Sequence, residues 1–134
     1  MPVIIVSLFR GKIIEDKIKI CEAIQKALRS AFKTEPNNFH FRINEYAESE
    51  MIIPAGSSRH YLIIEIDLMP GNSTSEKNIF YKDIRDELHA LNINKNDILV
   101  MLREPIFENW CIRGESGKEI KNPNNEKMNL KKTA

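Results

Sequence analysis

The chain has 134 residues, 42% hydrophobic and 29% charged, which fits one globular domain and excludes a disordered chain. Its 20 Lys+Arg against 19 Asp+Glu leave a net charge of +1, which argues against nucleic-acid binding by bulk electrostatics. No apolar run approaches the roughly 20 residues of a membrane span, and MPVIIVSLFRGK lacks the basic start and small-residue cleavage site of a signal peptide.

Taken in chain order, VIIVSLF is a β-branched run of strand length, stopped by the turn residue Gly11. A helix follows, with Ile20, Ile24, Leu28 and Ala31 forming an apolar stripe. It has no good N-cap, only Glu15 and Asp16 in its first turn. Pro36-Asn37-Asn38 is a loop that returns the chain to the strand FHFRI. Residues 46–60 read as a linker containing Pro54 and Gly56. A second strand, LIIEIDL, then ends at Gly71, and Ser73-Thr74-Ser75-Glu76 fits a capping box opening a second helix. That helix carries Phe80, Ile84, Leu88 and Leu91 on one stripe. The loop Asn94-Lys95-Asn96-Asp97 leads to a last strand, ILVML. From Glu115 to residue 134 the sequence is polar, with too few apolar residues to predict folding, so a flexible tail is expected.

The chain repeats itself. With residues 3–45 laid over 62–104 and one gap allowed, Ile4 falls on Ile64, Gly11 on Gly71, Lys17 on Lys77 and Leu28 on Leu88. Beyond the gap, Phe39, Phe41, Ile43 and Glu45 fall on Ile98, Val100, Leu102 and Glu104. Each half is strand, turn, helix, strand, and such a unit makes a parallel pair by a right-handed crossover. The expected fold is α/β (α+β): a tandem βαβ–βαβ repeat in residues 1–114, forming a four-stranded mixed sheet with both helices on one face. Alternation puts Ile4, Val6, Leu8, Ile64 and Ile66 against the helices. The other face carries Ile5, Arg42, Glu65, Asp67, Met101 and Arg103. It is too apolar for bare solvent and too charged for a simple core, and reads as a subunit interface in which the charges pair.

Cys21 and Cys111 are too few for a disulfide framework and lack metal-ligand spacing, which makes a reduced, cytoplasmic protein the expectation. His40, His60 and His89 show no metal spacing either, and ordinary surface or interface roles are expected for them. Pro2 follows the initiator Met1. If Met1 is removed, proline supplies a free secondary amine. An α-amino group titrates near about 8 in model peptides; burial among apolar groups lowers that value and gives a general base suited to neutral pH.

The start Met1-Pro2-Val3-Ile4, the Gly11-Lys12 turn and the twofold βαβ repeat resemble the tautomerase superfamily. Pro36-Asn37-Asn38-Phe39, Tyr81 in the second helix and Glu108-Asn109-Trp110 are similar to its long-chain bacterial branch around malonate semialdehyde decarboxylase. The likeness runs from about Pro2 to Gly114. It implies a cofactor-free homotrimer acting on a small oxo-acid or enol, with Pro2 as catalytic acid or base and no metal, nucleic acid or membrane involved. Lys12 stands where the family has a carboxylate-binding arginine, with Arg10 close by. Asn38 stands where the decarboxylase has an aspartate, and Met69 and Gly71 where it has arginines; these departures count against decarboxylation. Trp110 matches a tryptophan of its aromatic wall. From the residues alone Trp110 serves equally as core, Lys12 as a solvated turn residue and Asn38 as a loop closer. A decarboxylase or hydratase using the same proline as an acid, or an oligomeric binding protein of this fold, are the alternatives. A ferredoxin-like RNA-binding module shares the element order but lacks the stacking aromatics here.

Overall fold

The computed structural model describes residues 2–34 and 38–121. Pro36 and Asn37 of the first return loop, and the sequence from 122 onward, lie outside the described residues. Strand β1 (Val3–Phe9) leads into helix α1 (Ile14–Phe32) and strand β2 (His40–Tyr46). Strand β3 (Leu62–Asp67), helix α2 (Thr74–His89) and strand β4 (Ile98–Arg103) repeat the pattern. The sheet order is β2-β1-β3-β4. β1 runs parallel to β2 and β3 parallel to β4, while β1 and β3, one from each half, meet antiparallel. This is the expected four-stranded mixed sheet, with β2 and β4 at its edges.

The repeat extends below the hydrophobic pattern. Gly11 and Gly71 take φ of 120° and 113°, a backbone region that side-chain-bearing residues rarely adopt. Lys17 on α1 reaches Glu45 at the end of β2 at 2.5 Å, and Lys77 on α2 reaches Glu104 just past β4 at 2.6 Å. The matched lysines and glutamates are therefore the same helix-to-strand ion pair made twice. α2 opens with the full capping box: Glu76 N–H donates to Ser73 Oγ at 3.1 Å, and Ser73 N–H to Glu76 Oε1 at 2.9 Å. Ile13 caps α1 with no side-chain hydrogen bond.

Ile4, Val6, Leu8, Ile64, Ile66 and Leu68 meet Ile24, Leu28, Phe80, Ile84 and Leu88 in one core between sheet and helices. The segment between β2 and β3 is tied down by the buried Asp97, whose two carboxylate oxygens accept from Ser58 N–H and Ser58 Oγ, each at 2.6 Å. On the other face Arg103 grips Asp67 in a two-pronged contact at 2.8 and 3.3 Å and Glu65 at 3.0 Å. The acids and one arginine of that face thus pair within the chain. Their hydrogen bonds hold the Arg103 guanidinium still more firmly in its charged form.

The sequence boundary at Gly114 falls short. Glu115–Ser116 form strand β6, paired antiparallel with strand β5 (Cys111–Ile112), and Gly117–Lys121 form a short helix, α3. α3 packs on the 3-10 turn Phe107–Asn109. The apolar count of the tail is too low for a core of its own, but residues 115–121 fold against segments that precede them. Among the described residues no helix is long and apolar enough to cross a membrane.

Candidate active site

The edge position of β2 leaves room for a concavity beside it. A cleft of about 760 Å³ opens along that edge and is walled by Trp110, Cys111, Ile112 and Arg113. Asn38, Phe39, His40 and Arg42 line its other side, with Val3 at the start of β1. Pro2 does not itself line the cleft. Its ring is fully buried one residue before Val3, and its carbonyl accepts the His40 N–H at 3.0 Å. The strand pairing, Val3 opposite His40, fixes that closeness.

Trp110 is held by its indole N–H, which donates to the Pro105 carbonyl at 3.0 Å. It is a part-exposed wall rather than a core residue. Arg42 and Arg113 supply positive charge, and no acidic side chain lines the cleft among the described residues. Such a surface suits a small anion, because neither arginine is neutralised by an acid of the lining. Arg113 stands at φ 52°, in the turn between β5 and β6.

The structure therefore brings together Pro2, Asn38 and Trp110 at one end of β1. It does not bring Arg10 or Lys12 there. Both follow the C-terminal end of β1, whose seven residues span about 20 Å at about 3.3 Å each. Arg10 is exposed, with Glu50 at 4.0 Å. Lys12 Nζ lies 3.1 Å from His60 Nδ1, over a second cleft of about 380 Å³ that Asp16 and Lys19 also line. Within the chain these cations lie at a different end of the molecule from Pro2.

Sequence reasoning missed Arg42, Arg113 and His40 as cleft residues. Alternation along β2 puts His40 and Arg42 on one face, but only the sheet order makes β2 an edge strand. The Arg113-Gly114 turn was the single local signal for the second arginine. Among the described residues no group of three His, Cys, Asp or Glu is placed to hold a metal ion. Cys21 sits half-buried on α1, where burial pushes its thiol up, followed by the charge of Glu22; Cys111 is exposed in the cleft wall.

Solved structures share this architecture. A malonate semialdehyde decarboxylase, described with decarboxylase and hydratase activities and in a variant carrying alanine for its first-position proline, is 22% identical, with a TM-score of 0.78 over 84% of this chain and 92% of that one. A fused 4-OT, described as an asymmetric trimer, is 15% identical, with a TM-score of 0.79 over 90% of this chain and 99% of that one. Pt0534, inactivated by 2-oxo-3-pentynoate, is 16% identical, with a TM-score of 0.78 over 90% and 99% of the two chains. At these identities the likeness establishes the fold. The sequence profile described as "Tautomerase enzyme" matches residues 37–113, a stretch that runs from the loop before β2 through the cleft wall at Arg113. By that match, on a chain folded as two strand-helix-strand halves, this protein belongs to the tautomerase enzyme family.

Proposed function

We propose that the protein is a cofactor-free tautomerase acting on a small oxo-acid or enol, with Pro2 as its general base once Met1 is removed. The Pro2 nitrogen takes a proton α to a carbonyl and returns it elsewhere on the conjugated system, so the reaction has no net proton change. The observation that carries the reading is the cleft beside Pro2, cationic at Arg42 and Arg113 and walled by Trp110. The buried ring supports an amine held neutral at neutral pH, because desolvation disfavours its charged form. Arg42 and Arg113 hold the substrate carboxylate and stabilise the developing enolate. Asn38 orients the carbonyl or a water, and Trp110 keeps the pocket apolar. Lys12 and Arg10 take part only from a second copy, which fits a homotrimer; the fused 4-OT of the same fold is described as a trimer.

Replacing Pro2 by alanine tests the reading. Enol–keto conversion of an aryl pyruvate is expected to fall by about 10²–10⁴-fold, the usual contribution of a positioned general base. Unchanged turnover removes Pro2 from the chemistry. A second reading, decarboxylation or hydration with a protonated proline as acid, is favoured by the fold shared with the decarboxylase. The two separate by pH: a base gives activity that rises through its pKa, an acid activity that falls.

A further inference from the structure

Trp110 is fixed from three directions within residues 105–117. Its indole N–H donates to Pro105 O at 3.0 Å, its backbone N–H to Phe107 O at 3.1 Å, and its carbonyl accepts the Gly117 N–H at 2.8 Å. Gly117 is buried at the start of α3. A methyl group placed on its Cα would lie 2.3 Å from the Phe107 carbonyl oxygen and 2.9 Å from Trp110 Cβ. The atoms in the way are a backbone oxygen and a Cβ, neither of which is the free end of a flexible side chain. Any side chain at position 117 must therefore move the backbone that carries the indole. The ladder β5–β6 ties the same unit to Cys111 and Ile112, the next residues of the cleft wall.

We infer that Gly117 is a positioning residue of the active site: it closes a clasp, Pro105 to Lys121, that sets where Trp110 stands over the cleft. This rests on the reading of that cleft as the substrate site. A segment whose composition reads as a tail is then the brace of one wall. Gly117 touches no substrate and acts through Trp110. The core between sheet and helices lies outside the clasp, as none of its members falls in 105–121.

The chain has a single tryptophan, so its emission reports Trp110 alone. Gly117→Ala and Trp110→Phe are made singly and together in the full chain, then assayed for enol–keto conversion of phenylpyruvate and for thermal melting. Gly117→Ala is expected to shift the tryptophan emission to the red and to increase acrylamide quenching. It should raise KM about 10-fold, with kcat nearly unchanged, as expected for a displaced binding wall. The double variant should be no worse than Trp110→Phe alone, because both act on one contact. Unchanged emission and KM overturn the inference. So does a double variant whose losses multiply, or a Gly117→Ala chain that no longer folds, since the clasp is held to be separate from the core. If the cleft is not a catalytic site, Pro2→Ala keeps its turnover while the emission shift of Gly117→Ala persists, which distinguishes that failure from failure of the clasp.

Discussion

Arg42 and Arg113 are 71 residues apart in the chain and line one cleft, whose lining among the described residues includes no acidic side chain. Removing either charge should weaken substrate binding more than the chemical step. Arg42→Ala and Arg113→Ala are each expected to raise KM by about 10-fold, equivalent to about 1.4 kcal/mol, with kcat changed less; steady-state kinetics on an oxo-acid carrying a carboxylate checks this. Lysine at either position should restore part of the loss, since it keeps the charge but not the fork. These two residues were beyond sequence reading for a physical reason. Their meeting depends on β2 lying at the sheet edge and on the clasp folding back over it, and neither is a local property. Asn38 and Trp110 were legible only through resemblance. Lys12 and Arg10 were legible as cations, but sequence proximity to Pro2 says nothing about distance once an extended strand separates them.

The helices show how much the repeat explains. Ser73→Ala removes one half of the capping box of α2 and should cost about 1 kcal/mol, read as a lower denaturant midpoint with an unchanged slope. Phe80→Ala empties a fully buried core position and should cost about 3–5 kcal/mol. The Lys77–Glu104 pair between α2 and the end of β4 gives a pH signature. For Glu104, burial raises the pKa, but the Lys77 hydrogen bond and the Gly71 N–H outweigh it and hold the carboxyl below its ordinary 4.5. The stability it contributes is complete above 4.5 and lost as pH falls through the lowered value. Lys77 is raised above its ordinary 10.5, chiefly by the Glu104 hydrogen bond, so its share is complete below 10.5 and lost as pH rises through the raised value. Melting temperatures of wild type and Glu104→Gln should therefore converge in acid and stay apart between those limits. Periodicity and matched polar residues made α1, α2, the turn glycines and four strands readable. The Glu115–Lys121 elements were not, because they are held by residues 107–112 and by no periodic pattern of their own.

At the scale of the molecule, two features point to assembly. The sheet face opposite the helices leaves Leu99 47% and Met101 43% exposed, beside an Arg103 already satisfied by its own acids. Lys12 and Pro2 occupy opposite ends of β1. The proposed homotrimer would cover the open face and bring a first turn to a neighbour's cleft. Sedimentation of the purified protein is expected to give three chains, and Met101→Glu to give smaller species with reduced kcat/KM. A fully active monomer would remove Lys12 and Arg10 from the site. All of this chemistry turns on the state of one nitrogen. The most direct measurement is a ¹⁵N-proline NMR titration of the Pro2 amine, on protein whose intact mass confirms removal of Met1. The account predicts a midpoint below the roughly 8 of a free α-amino group, coincident with the rising limb of kcat/KM; a retained methionine, or an amine that stays protonated above that value, contradicts it.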